Sequence, residues 1–220
     1  MPKDWIEWHD QYNTDPRLQQ RLQLVRESLA QSLNVCPPGI IRIVSLCAGD
    51  GRDLIGTLSN HPRAKDVRAK LVELNPQLVE RGRTAIKSAG LDKQVEFVNG
   101  DATISSNYMG GVPADIVILC GVFGSLANEG EMIRLIKNLS FFCKKGSFLV
   151  WSRRVYGPRK NNIPYSDTVL KLLHETDFEE ISLKLTLTED SAVGIHRYMG
   201  EGLAMPKDQE LFVYPGIPPQ

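Results

Sequence analysis

The sequence has no surplus of either charge. Its 26 Lys+Arg are balanced by 26 Asp+Glu over 220 residues. No overall field draws such a chain to a polyanion, so a broad nucleic-acid track is not expected. It lacks an apolar run long enough to span a bilayer. Its opening stretch, MPKDWIEWHDQYN, lacks the apolar core of a secretory signal. The four cysteines, Cys36, Cys47, Cys120 and Cys143, form no C-x-x-C pair and have no histidine at zinc-ligand spacing. Free thiols inside apolar segments imply a reduced, cytoplasmic protein without a structural metal. No internal repeat and no linker divide the chain.

What is present is a regular alternation. Leu18, Leu22, Val25, Leu29 and Leu33 recur at helical spacing, so Arg17 to Leu33 is expected to be an amphipathic helix. Strands are expected at Ile40 to Leu46, Val67 to Glu73, Gln94 to Val98, Ala114 to Cys120 and Gly146 to Ser152. Helical segments fall between them: Arg52 to Ser59, Pro76 to about Ala89, and a run containing Met132, Leu135 and Leu139 behind an Asn128–Glu131 cap. A short helix, Ser166 to Glu175, and two closely spaced strands follow. This order implies an α/β fold: a Rossmann-like, seven-stranded, mostly parallel sheet with an antiparallel edge and helices on both faces. Residues 1–38 are expected to be a helical extension, and residues 39–220 the main domain.

The first strand runs into CAGDGRD, Cys47 to Asp53. Gly49 and Gly51 remove side chains where a ligand approaches the main chain, and the following helix offers free N–H groups. Glu73, at the end of the next strand, is placed to accept hydrogen bonds from a ribose diol. A dinucleotide turn requires a third glycine where this chain has Leu54. An NAD signature is therefore not met.

IVSLCAGDGRD, LVELNP, VEFVNGDAT and ADIVILCGVFGSL resemble successive motifs of class I S-adenosylmethionine-dependent methyltransferases. The resemblance spans Ile40 to Ser152, more loosely to Met199, and is narrower still to bacterial methyltransferase-like proteins with the CAGDGRD motif. It implies S-adenosylmethionine as cofactor and methyl transfer to a small molecule. It also implies a cofactor site made of Cys47, Ala48, Gly49, Asp50, Gly51, Glu73, Leu74, Asp101, Ala102, Cys120 and Gly121. Glu73 would hold the ribose, Leu74, Asp101 and Ala102 the adenine, and Cys47 to Gly51 the methionine end. Cys47 replaces the family's usual glycine and is accommodated if its φ is negative. Ser45 replaces a frequent acid, which leaves Asp50, Asp53 or a water for the cofactor's ammonium, and Arg52 for its carboxylate.

On the acceptor side, Trp5, Trp8, His9 and Tyr12 share one face of a helix, as either a lid or a packing surface. Trp8, His9, Tyr12, Phe123 and Arg153 are the candidate substrate residues. The general base is not legible. His196, inside the last strand, is expected to be structural. The basic run Arg153 to Asn162 is either a solvated loop or an acidic-acceptor site. An NAD(P)-dependent oxidoreductase, aminopropyl transfer and a non-catalytic cofactor-binding scaffold stay open as alternatives.

Overall fold

The computed structural model describes residues 4–155 and 165–214. Seven strands form one sheet: β1 (Ile41–Leu46), β2 (Val67–Glu73), β3 (Val95–Asn99), β4 (Ala114–Cys120), β5 (Cys143–Arg154), β6 (Phe178–Leu185) and β7 (Ser191–Tyr198). The helices are α1 (Trp5–Asp10), α2 (Pro16–Val35), α3 (Arg52–Leu58), α4 (Pro76–Ser88), α5 (Glu129–Asn138) and α6 (Tyr165–His174). The strand order is β3-β2-β1-β4-β5-β7-β6. β1 to β5 pair in parallel. β7 runs antiparallel to both β5 and β6. The mixed edge expected from the sequence is thus made by one reversed strand, β7, inserted beside the last.

Side chains alternate between the two faces of the sheet. Val44, Leu46, Val117, Leu119, Leu149 and Trp151 point to one face, where Leu135 of α5 and Val169 and Leu173 of α6 cover them. Ile41, Ile43, Leu71, Ile116, Ile118 and Val150 point to the other, under Leu29 and Leu33 of α2, Leu54 of α3 and Val79 of α4. Burial of each aliphatic side chain here contributes about 1.5–3 kcal/mol. Because both faces are covered, the central strands are continuous apolar runs rather than alternating ones.

Helix starts follow local chemistry. The Asp15 carboxylate accepts from the Arg17 N–H, with Pro16 in the first turn. Asn75 accepts from Gln77 and Leu78, again with a proline in the first turn. Asn128 accepts from Glu131 N–H. These side chains satisfy N–H groups that the helix itself leaves free. Trp151 Nε1 donates to His196 Nδ1 at 3.1 Å in the core. Burial lowers the His196 pKa to about 4, so this histidine is a neutral structural acceptor.

β5 begins at Cys143, before the expected Gly146, because Cys143 pairs with Ala114 ahead of a register shift that resumes at Ile116 and Phe148. The tail does more than its irregular sequence suggests. Leu211 and Phe212 are buried, and Leu211 N–H donates to the Thr103 carbonyl at 2.7 Å. Asn138 Nδ2 donates to Leu211 O at 2.6 Å. This strap carries Tyr214 to the carboxyl edge of the sheet. The part of the basic run from Tyr156 to Asn162 lies outside the described residues.

Candidate active site

The sheet reverses its order between β1 and β4, and a cavity of about 690 Å³ opens at their carboxyl ends. The turn after β1 sets its floor. Cys47, Gly49 and Gly51 have φ of 50°, 59° and 68°. Cys47 is therefore left-handed, not the negative φ that close approach was expected to require. The strained turn aims the Ala48 N–H back at the Val72 carbonyl, 3.0 Å away, and Gly51 N–H closes onto Ala48 O at 3.0 Å. A left-handed non-glycine residue costs on the order of 1–2 kcal/mol.

The two glycines serve packing as much as ligand access. A β-carbon at Gly49 would lie 2.2 Å from the His9 ring, and one at Gly51 would lie 2.7 Å from the Leu71 side chain. Cys47, Ala48 and Asp50 line the cavity, whereas Gly49 and Gly51 stand behind that wall. The reading of a naked glycine surface open to the ligand is corrected accordingly: His9 covers Gly49.

Glu73 ends β2 with its carboxylate fixed by backbone. Its Oε2 accepts from Gly49 N–H at 2.9 Å and its Oε1 from Asn75 N–H at 2.8 Å. Burial raises its pKa, while the bonds from Asn75 and Gly49 oppose that rise. Leu74 is partly exposed beside it. Asp101 Oδ1 accepts from Thr103 N–H at 2.8 Å, and the Ala102 carbonyl accepts from the buried Tyr108 hydroxyl at 2.7 Å. Glu73, Leu74, Asp101, Ala102 and Thr103 line one end of the cavity.

Above the turn lies the N-terminal aromatic group. α1 stops at Asp10, and a 3₁₀ turn, Gln11–Asn13, carries Tyr12. Trp5, Trp8, His9 and Tyr12 still converge on the cavity. Trp8 makes edge contacts with Trp5, His9 and Tyr12 at 6.0, 5.0 and 5.4 Å between ring centroids. Asp10 pairs with Arg81 of α4 at 2.7 Å and holds α1 in place. Tyr12 receives a hydrogen bond from Arg21 Nη2 and lies 4.8 Å beneath the Arg52 guanidinium. Arg52 in turn grips Asp50, with Nε to Oδ1 at 2.8 Å.

Burial lowers the His9 pKa to about 4, although Asp50 opposes it. The imidazole is therefore neutral near pH 7, and its Nδ1 is buried without a hydrogen-bond partner among the described residues. Asp53 also lines the cavity. Burial, opposed by the Leu54 N–H and helped by Asp50, pushes its carboxyl up to about 6.

β4 delivers Cys120 and Gly121 to the opposite end of the cavity, next to Val122, Ser125, Ser152 and Tyr214. Burial pushes the Cys120 thiol well up, so it is not a thiolate nucleophile. Two expected residues are not here. Phe123 is 1% exposed and packs edge-on against Trp151, 6.1 Å away. Its ring fills the core beneath the loop, and Val122 and Ser125 face the cavity instead. Arg153 is 8% exposed, shares the face of Trp151, and places Nη1 3.3 Å from Met132 Sδ. Strand alternation turns Ser152, not Arg153, to the cavity.

The sequence reading passed over Arg21, Ser152, Ser125, Thr103 and Tyr214. Arg21 carried a legible signal: a charged residue on the buried stripe of α2, between Leu18 and Val25. Tyr214 carried none, since only the strap's tertiary contacts place it. Among the described residues, no cluster of potential metal ligands occurs, and no helix is long and apolar enough to cross a membrane.

No curated protein sequence matches this chain. The structure is similar to that of the N-methyltransferase NodS from Bradyrhizobium japonicum WM9 in complex with S-adenosyl-L-homocysteine. The TM-score is 0.64 at 15% identity, over 86% of this chain and 90% of NodS. It is also similar to magnesium protoporphyrin IX methyltransferase (ChlM) from Synechocystis PCC 6803 with bound SAM, with a TM-score of 0.63 at 14% identity, over 90% of this chain and 98% of that one. The cyclase SpnF matches with a TM-score of 0.63 at 11% identity, over 90% of this chain and 86% of its own. At these identities the likeness is one of fold, and that fold serves more than one chemistry. The family described as putative methyltransferase matches residues 9–171, about three-quarters of the sequence, and the protein belongs to that family.

Proposed function

We propose that the protein binds S-adenosylmethionine across the carboxyl ends of β2, β1 and β4 and transfers its methyl group to a small-molecule acceptor. The observation that carries this reading is Glu73. Its two oxygens are oriented by Gly49 and Asn75 N–H groups and still border the cavity. A carboxylate fixed this way presents its remaining lone pairs to a vicinal diol. The apolar Leu74, the Asp101 carboxylate and the Ala102 amide fit a purine beside it. The wall of Cys47, Ala48 and Asp50 fits an amino acid group lying over β1. Arg52 occupies Asp50, which leaves the buried Asp53 to meet an ammonium. Above α3, the Asp50–Arg52 pair and Tyr12 fill the room a pyrophosphate would need, which weighs against the oxidoreductase alternative.

When bound, the cofactor supplies an electrophilic sulfonium methyl group. The chain's task is then to hold, align and dry the reactants. The segment from Trp5 to Tyr12 acts as a cover. Trp5, Trp8, His9 and Tyr12 roof the cavity, clamped by Asp10–Arg81, and exclude water. Gly121, Ser125 and Ser152 border the acceptor's place beyond Cys120. The balanced charge and the roofed cavity support a small acceptor over nucleic acid, and the free thiols support a cytoplasmic location. Calorimetric titration with S-adenosylhomocysteine and with NADH tests the reading. Binding of the former alone is expected; binding of NADH alone rejects it.

A further inference from the structure

Arg21 is a buried cation with no anion beside it. It is 6% exposed and lines the cavity. Its Nη2 donates to the Tyr12 hydroxyl, and its guanidinium lies 5.7 and 5.5 Å from the ring centroids of Trp8 and Tyr12. Among the described residues it forms no ion pair. The neighbouring guanidiniums differ: Arg52 holds Asp50, Arg81 holds Asp10, and Arg26 bonds the Arg52 carbonyl at 2.7 Å. A buried charge is ordinarily retained only when a partner neutralises it. The rings of Trp8 and Tyr12 supply a partial substitute for that anion.

A second, independent observation lies in the same corner. Ser152 is 1% exposed and lines the cavity, and its Oγ has no nitrogen or oxygen partner among the described residues, its hydrogen-bond contact being with the weakly interacting Cys120 thiol. It stands opposite Cys120 in the β4–β5 register. Arg21, Cys120 and Ser152 all line the same cavity, so a cation and a weakly bonded hydroxyl share its β4–β5 side. The corner is remote from Glu73, because β1 and β4 separate β2 from β5. Three strand spacings are about 14 Å.

We propose that Arg21 and Ser152 bind an anionic group, a carboxylate or phosphate, on the methyl acceptor, so that the acceptor is an acidic small molecule. The proposal rests on the methyl-transfer reading of this cavity. It supplies the anion that Arg21 lacks and a stronger partner for the serine hydroxyl than a thiol. The anion takes the guanidinium fork and the serine O–H, while the rings of Trp8 and Tyr12 keep the fork in plane. The cofactor's own carboxylate is the other source of the same chemistry, since Tyr12 links Arg21 to Arg52 and the β1 turn, and the Arg21 variants below separate the two.

The test uses the full chain saturated with S-adenosylhomocysteine, titrated with benzoate, phenyl phosphate and the uncharged isostere benzamide. At least one anion is expected to raise the melting temperature where benzamide does not. Arg21→Met is expected to weaken that anion by about tenfold or more while homocysteine-nucleoside affinity is kept. Arg21→Lys is expected to restore part of the effect. Ser152→Ala is expected to reduce it. The proposal is overturned if benzamide matches the anions, or if Arg21→Met leaves anion binding intact. It is also overturned if Arg21→Met instead removes S-adenosylhomocysteine binding, which gives the guanidinium to the cofactor. Failure of the wild-type chain to bind S-adenosylhomocysteine rejects the methyl-transfer reading separately, and the anion titration without it still reads the corner.

Discussion

The imidazole of His9 occupies the space that a side chain on residue 49 would need: a β-carbon on Gly49 would stand 2.2 Å from it. The cover and the turn below it are therefore fitted to each other. Gly49→Ala is expected to displace α1 and to strain a φ of 59°. Its expected cost is roughly 1–3 kcal/mol in stability. In a His9→Ala background the penalty should shrink, because the obstructing ring is gone. Thermal denaturation of the four proteins of that cycle measures the coupling, and strict additivity would show that the contact carries no energy.

Glu73→Gln keeps the shape but replaces one charged acceptor oxygen with a donor. The affinity for S-adenosylhomocysteine is expected to fall by about 1.5–3 kcal/mol, roughly ten- to a hundredfold. Calorimetry reads it directly. An unchanged dissociation constant would remove Glu73 from the ribose.

Asp53 has a pKa raised to about 6 by burial, above its unfolded value. The sign follows from that direction. In the ligand-free protein its stabilising contribution is complete at low pH and is lost as pH rises through 6. Asp53→Asn should thus raise ligand-free stability at pH 8 by on the order of 2–3 kcal/mol, and by little near pH 4. Cofactor binding runs the other way, since an ammonium needs the carboxylate. Affinity should fall about tenfold between pH 8 and pH 5, and Asp53→Asn should flatten the profile. Paired calorimetry at the two pH values settles both signs.

His9 titrates in the opposite sense. Burial holds its folded pKa at about 4, below the unfolded value. The stability it contributes is present above about pH 6.5 and is lost as pH falls toward 4. The groups facing it are Asp50, Arg52, Arg81 and Asp10. Trp5 and Trp8 sit on the same cover, so their fluorescence should report its release over that window. His9→Leu should remove the acid transition.

Phe123→Ala should destabilise the fold by about 3–5 kcal/mol through the cavity it leaves against Trp151. Its effect on S-adenosylhomocysteine affinity in the folded fraction should be slight. A selective loss of ligand binding would return Phe123 to the site.

Legibility followed the range of the interactions. β4 is read to the residue because a buried parallel strand is a nearly continuous apolar run, and β2 because its apolar residues alternate with Arg68 and Lys70 before the final Leu71–Val72 pair. Pro76 and Asn128 announce their helices because a first-turn proline and a cap act over two or three residues. The place of Glu73 at the cavity was legible because it closes the next strand after the glycine turn. Phe123 and Arg153 were misplaced because loop position and charge say nothing of which way a side chain turns, whereas the Trp151 face decides it. The negative φ set as the condition for Cys47 is not met, because sequence does not show the turn in which Ala48 N–H bonds the Val72 carbonyl. Tyr214 and the strap were invisible, since they are held by contacts with Thr103 and Asn138, far away in sequence.

Trp5 and Tyr214 meet with ring centroids 6.3 Å apart, a contact between residues more than two hundred positions distant. Both rings border the cavity, and neither belongs to a strand, so the first helix and the strap close over the site by side-chain contact while the sheet beneath is zipped independently of them.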